Sequence, residues 1–281
     1  MNRKSTSYIL KKDNRAAYYA INNDPRYILF TKVSIDSLRK FNSKLKIYLF
    51  IYGDLAGIDL SFFRKNNVHI INKSGVKKEY LTSLKWFSLQ DLASLNVNSL
   101  IYFDADTIFF KKPDILFEDY NKFDYYAREE LGTQKDKGGY LIGKTFIRPQ
   151  INHNIYRQMT KKLGALNLPI FNTGVMLFNN KSFKKVAKLV YFYKQVMDNF
   201  RKDILPYPCL NSHIIDEIVG SITLGKIPEF TYGVLDKEIS PWYIELREKA
   251  VKTTGIVMHV LNYLYWDYLS DPLSSQAGFK T

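Results

Sequence analysis

Asp104 and Asp106 stand one residue apart in Tyr102-Phe-Asp-Ala-Asp-Thr107, where one apolar run ends and another begins. Read as extended chain, the segment alternates its side chains, which puts both carboxylates on one side and Ala105 on the other. Two such carboxylates repel each other and are costly to desolvate unless a cation lies between them. Their hard oxygens suit Mg²⁺ or Mn²⁺, ions that also take substrate phosphates as ligands. A strand-end turn would account for one aspartate, whereas the pair points to a metal–diphosphate site.

The flanking sequence must present that pair at an open edge. Leu100 to Phe103 reads as the strand that leads into it, preceded by a helix over Tyr80 to Leu95 with apolar residues at Leu81, Leu84, Phe87, Leu92 and Leu95. Earlier, Ala16 to Ile21 reads as a first strand closed by the turn residues Asn22-Asn-Asp-Pro25, and Tyr27 to Phe41 as a helix. Lys46 to Tyr52 is a second strand closed by Gly53-Asp54, Leu60 to Asn66 a short helix, and Val68 to Ile71 a third strand. Strands apolar on both faces, alternating with helices, predict a mostly parallel sheet covered by helices. Ligands bind beyond the carboxyl ends of the strands in such sheets, and both Asn22 to Asp24 and Asp104 to Asp106 fall there.

The second half is less regular. Phe123 to Ala127 reads as a strand, and Leu131 to Gly143, with Gly132, Gly138, Gly139 and Lys135-Asp-Lys137, as a mobile loop that could act as a lid. Pro169 to Phe178 is a strand interrupted by Asn172-Thr-Gly174, where a glycine marks a bulge or a close approach by ligand. Phe183 to Phe200 reads as one amphipathic helix, apolar at Phe183, Val186, Ala187, Val190, Tyr193, Val196 and Met197 and basic at Lys184, Lys185, Lys188 and Lys194.

Composition limits the function classes. The chain has 281 residues, 46% of them hydrophobic, with 21 Tyr and 19 Phe, which suits a folded globular protein rather than a disordered one. Its one cysteine, Cys209, excludes an intramolecular disulfide and reads as a structural residue. No run reaches the roughly 18 apolar residues of a membrane span, and Met1 to Arg15 is basic without a signal-peptide core, so a cytoplasmic protein is expected. The net charge of +14 favours polyanions: nucleotide phosphates, nucleic acid or an anionic membrane face. Aromatic residues inside periodic apolar runs and the lack of a nucleic-acid motif argue against nucleic acid.

In order along the chain, Asn22 to Asp24, Tyr102-Phe-Asp-Ala-Asp-Thr107, Phe171-Asn-Thr-Gly-Val-Met-Leu-Phe178, Asp216-Glu217 and Met258-His259 resemble the nucleotide-sugar glycosyltransferases of family eight, the glycogenin and bacterial lipopolysaccharide galactosyltransferase type. The resemblance covers residues 16 to 266. It implies a single α/β domain over 1–281 of glycosyltransferase A type, with a mostly parallel Rossmann-like sheet flanked by helices. Residues 16–106 would form the nucleotide-sugar half, 107–266 the acceptor and catalytic half, and 267–281 a tail. It further implies that Asp104, Asp106 and His259 hold Mn²⁺, or Mg²⁺, and that Asp104 also approaches the donor ribose.

Asn22, Asp24, Lys85, Arg128, Thr173 and Gly174 would line the site of a UDP-sugar, with Lys85 and Arg128 neutralising phosphate. Asn172 would lie near the transferred sugar, and Asp216 and Glu217 near the reacting centre. The implied acceptor is a hydroxyl of a glycan, glycolipid or glycoprotein, with retained anomeric configuration and possible peripheral membrane contact. His259-Val-Leu-Asn-Tyr-Leu-Tyr-Trp266 departs from the pattern by lacking the glycine and lysine that commonly follow the histidine. Lys135, Lys226 or Lys252 could supply the missing charge, and a non-catalytic nucleotide-sugar or glycan binder of the same fold is the alternative reading.

Overall fold

Strand β1 (Arg15–Asn22) buries both faces along Ala16 to Ile21, as an unbroken apolar run inside a covered sheet must. The computed structural model describes residues 14–41, 43–129, 140–142, 145–147, 149–204, 212–236, 239–240 and 255–259. Helix α1 (Pro25–Lys40) starts with proline at its first turn and with Asp24 as N-cap, whose carboxylate accepts from the Arg26 amide. β2 (Lys46–Tyr52), α2 (Ser61–Lys65) and β3 (Val68–Lys73) then extend the sheet in parallel to one side of β1. A 3₁₀ segment (Lys78–Ser83) leads into α3 (Leu84–Leu92), so the helix expected from Tyr80 is true α-helix only from Leu84. β4 (Ser99–Phe103) follows and pairs in parallel with the other side of β1.

That reversal of direction places the switch point of the sheet between β1 and β4, where the carboxyl ends of neighbouring parallel strands diverge and leave a crevice. Beyond it come β5 (Thr107–Phe109), α4 (Asp114–Asp119), β6 (Tyr125–Glu129), a hairpin of β7 (Tyr140–Ile142) and β8 (Thr145–Ile147), and α5 (Pro149–Lys162). β9 (Phe171–Phe178) runs antiparallel between β4 and β6. α6 (Ser182–Ala187), α7 (Val190–Ile204), α8 (Ser212–Leu224), β10 (Tyr232–Val234) and β11 (Val257–His259) complete the order. The seven-stranded sheet reads β10-β6-β9-β4-β1-β2-β3 and is parallel except at β9.

Alternate residues of β1 feed two separate cores. Ala16, Tyr18 and Ala20 join the side covered by α3, α6, α7 and α8, while Ala17, Tyr19 and Ile21 join the side of α1, α2 and α4. Each large side chain removed from water in this way contributes about 1.5–3 kcal/mol, which is why both layers hold.

Three expectations need correction. The helix expected over Phe183 to Phe200 is broken at Lys188-Leu189: α6 packs on α3, while α7 packs on α8 and reaches α3 through Tyr193. Within the loop expected from Leu131 to Gly143, Tyr140 to Ile142 is a strand paired with Thr145 to Ile147. Its other residues, like Cys209, lie outside the described residues. Lastly, Ala105-Asp106 is a turn between β4 and β5 and not extended chain, so simple alternation stops at Asp104. No helix among the described residues is long and apolar enough to cross a membrane.

Candidate active site

The aspartate turn is tied to the fold on both sides. The Asp104 amide donates to the Gly174 carbonyl of β9 at 2.8 Å. The Thr107 hydroxyl donates to the Asp104 carbonyl at 2.8 Å and lies 2.9 Å from Ser34 Oγ of α1, which in turn meets the Tyr19 hydroxyl at 3.0 Å. These buried bonds close the turn although its backbone has left the strand. Tyr27, half-buried on the first turn of α1, has its phenol pushed up by burial first and then by the charges of Asp106 and Asp104.

β9 bulges at the same level. Across from β6 the register moves from Ala127↔Met176 to Arg128↔Asn172, so Thr173 to Val175 have no partner in that ladder. The bulge expected at Asn172 to Gly174 is therefore present. It turns Thr173 and Asn172 towards α8, where Thr173 Oγ1 lies 3.0 Å from Asp216 Oδ2 and Asn172 Nδ2 donates to Glu217 Oε1 at 2.9 Å. The Gly174 amide donates back to Asn172 Oδ1 at 3.1 Å.

Lys85 joins the two halves. Its side chain is 8% exposed, with Nζ 3.1 Å from Asp216 Oδ2, 3.7 Å from Asp104 Oδ1 and 2.8 Å from Thr173 Oγ1. Burial alone would lower its pKa, but the carboxylates of Asp104 and Asp216 outweigh that and hold it above the ordinary lysine range. Burial pushes the Asp216 carboxyl up, and Lys85 and the Thr173 hydroxyl pull it back only in part. One buried ammonium is thus shared between the carboxylate that follows β4 and another from α8.

Two tyrosines that sequence reasoning treated as core complete the cluster. The Tyr102 hydroxyl donates to Asp104 Oδ1, and the Tyr18 hydroxyl donates to the Lys85 carbonyl at 3.1 Å. Their rings pack 4.9 Å apart. Burial first, and then the Asp104 charge among others, pushes both phenols well above their usual value, so both stay protonated as donors. The signal that could have found Tyr102 is its i, i+2 spacing to Asp104, which gives two strand residues the same face.

Other sequence-predicted residues are placed as follows. Asn22 ends β1 at the switch point, and its buried Oδ1 has no hydrogen-bond partner among the described residues. Asp24 is held below the usual carboxylate range by its hydrogen bond to the Arg26 side chain, and it serves as a helix cap. Gly53, at φ 131°, permits the turn after β2 to lie against Asn23, whose side chain an added Cβ would approach to 2.6 Å. Arg128 is 2% exposed and donates to the Ser240 carbonyl at 3.2 Å, so it is an interior residue. Lys226 donates to the Leu163 carbonyl at 3.0 Å, away from the aspartate turn, while Lys135 and Lys252 lie outside the described residues.

The backbone of His259 pairs opposite Thr107 in the antiparallel β5–β11 ladder, next to Asp106. Its side chain lies outside the described residues, among which no group of three or more His, Cys, Asp and Glu forms a metal cluster. Two carboxylates on one turn and a histidine-bearing strand beside it make a donor set whose chemistry suits Mn²⁺ or Mg²⁺.

No protein-family model matches the chain, and no curated protein matches it in sequence. Solved structures do match in fold. The glycosyltransferase GlyE of Streptococcus pneumoniae TIGR4 superposes with a TM-score of 0.54 at 17% identity, over 94% of this chain and 63% of that one. The galactosyltransferase LgtC, in complex with donor and acceptor sugar analogs, gives 0.54 at 13% identity over 94% and 95%. Mouse xyloside xylosyltransferase 1 gives 0.50 at 14% identity over 89% and 98%. The fold is that of the A-type glycosyltransferases, as the sequence resemblance implied.

Proposed function

We propose that this protein is a metal-dependent, retaining glycosyltransferase that moves a hexose or related sugar from a UDP-sugar to a hydroxyl of a glycan, glycolipid or glycoprotein. The observation that carries the reading is the buried polar cluster at the switch point, in which Lys85 meets Asp104, Thr173 and Asp216. Asp104, Asp106 and His259 would hold Mn²⁺ or Mg²⁺, which when bound stabilises the negative charge of a leaving diphosphate. Asn22, at the end of β1, and Asp24, two residues on, would meet the nucleoside.

In the transfer, the bond from the anomeric carbon to the diphosphate oxygen breaks and the acceptor oxygen bonds on the same face. The acceptor proton leaves with the nucleoside diphosphate. Asp216 and Glu217 supply negative potential as the carbon gains positive character. A lipid-linked acceptor would bring the protein to an anionic leaflet, for which the exposed Lys181, Lys185 and Lys188 with Tyr191, 70% exposed, form a candidate face.

The test is a panel of nucleoside diphosphate sugars with Mn²⁺, scored by nucleoside diphosphate release with and without chelator. Release from a UDP-sugar that chelator stops, and that alanine at both Asp104 and Asp106 abolishes, is the expected result. UDP-sugar affinity without release would replace the enzyme by a binding protein of the same fold.

A further inference from the structure

The geometry points to Tyr102 as a positioning residue that holds Asp104 out of a closed ion pair with Lys85, an inference that rests on the donor-site reading above. The relevant distances are unequal. Lys85 Nζ sits within hydrogen-bond reach of Thr173 and Asp216, at 2.8 and 3.1 Å, but 3.7 Å from Asp104 Oδ1. That same oxygen accepts the Tyr102 hydroxyl. Asp104 keeps a side chain 24% exposed at the mouth of the crevice, while Lys85 and Asp216 are sealed at 8% and 3%.

Tyr102 is itself tightly packed. It is 2% exposed, packed 4.9 Å from the Tyr18 ring, with Lys85 Nζ 5.5 Å from its own ring centroid. The backbone supports this arrangement, since Asp104 directly follows β4 and its amide still bonds to Gly174 of β9, which keeps it on the face of Tyr102 two residues earlier. Without the hydroxyl, the ammonium draws Oδ1 across the remaining gap and turns the carboxylate inward, away from a cation at the turn. Partners that orient a metal ligand are commonly worth 10–100-fold in metal affinity.

Tyr102→Phe removes the hydroxyl and keeps the packed ring. The matched control is Tyr52→Phe, which removes another buried phenol, on β2, hydrogen-bonded 3.1 Å from Ser88 Oγ of α3. Mn²⁺ affinity in the presence of UDP is read by titration calorimetry, alongside the thermal midpoint of each variant. The expected result is an affinity about tenfold weaker for Tyr102→Phe, with Tyr52→Phe binding like wild type. Equal affinity for wild type and Tyr102→Phe overturns the inference, as does an equal loss in both variants, which would trace the effect to stability alone. Wild type that takes up no Mn²⁺ with UDP overturns the donor-site reading and this inference with it.

Discussion

At the scale of single residues, the site is organised by one buried cation. Lys85 is shared between Asp104 and Asp216, and removing it strands a carboxylate that is only 3% exposed. Breaking a buried pair from one side costs about 3–5 kcal/mol, because the remaining charge is cut off from water and has lost its counter-charge. Lys85→Met is expected to lose stability of that order near neutral pH, measured by urea unfolding. The pH dependence has a definite sign. With its counter-charge gone, the buried Asp216 carboxyl rises further, so the variant is most stable below the ordinary carboxylate range and loses stability as pH rises towards the folded value. The gap between wild type and Lys85→Met should therefore narrow on acidification towards pH ~4, and a gap that widens instead would mean Asp216 is not the residue left uncompensated. The carboxylates of this site were legible in the sequence because paired acids next to apolar strands have few structural uses. Tyr18 and Tyr102 were not, because a tyrosine within an apolar run looks the same whether its hydroxyl is idle or bound to a carboxylate.

At the scale of elements, the position of α8 decides whether Asp216 can reach Lys85, and one glycine sets that position. A Cβ on Gly220 would lie 2.3 Å from Trp86 Cζ2, and Trp86 is pinned by its stack on Tyr193 at 5.4 Å. Replacing glycine by alanine inside a helix normally gains about 1 kcal/mol. Overpacking a rigid core costs about 1–3 kcal/mol, and at 2.3 Å from a trapped ring the upper end applies. Gly220→Ala should therefore lower the unfolding midpoint and, because Asp216 lies one turn earlier on the same side, also impair donor turnover. Combining it with Trp86→Leu should restore part of both, and a Gly220→Ala protein more stable than wild type would refute the contact. Such a constraint is invisible in sequence, since it joins α3 to α8 across more than a hundred residues. Strands were read closely for the opposite reason: β1, β2 and β4 carry their signal locally, in unbroken apolar runs between turn residues. The break between α6 and α7 was not legible, because the apolar spacing from Phe183 to Met197 runs on through Lys188-Leu189 where the helix stops.

At the scale of the whole molecule, the interior holds an unusual load of phenols. Tyr18, Tyr102 and Tyr125 are pushed well above the ordinary tyrosine value, and Tyr52 and Tyr156 up to about 12, in every case chiefly by burial. A folded pKa above the unfolded one contributes stability that is complete below the unfolded value, near pH 10, and is lost as pH rises through the folded value. Because these side chains come from β1, β2, β4, β6 and α5, their ionisation cannot be relieved by opening one element. The competing effect is the net charge of +14, whose self-repulsion weakens as lysines lose protons over the same range. At physiological salt that repulsion is screened beyond about 8 Å, whereas burying a phenolate is not screened at all. In such salt the phenol effect should govern, giving one cooperative transition between pH ~10 and ~12 in which phenolate absorbance and loss of helical circular dichroism coincide. Phenolate formation of all the tyrosines centred near pH ~10 with the helices intact would show instead that the sheet opens locally to water, and that the two cores on its faces are not closed.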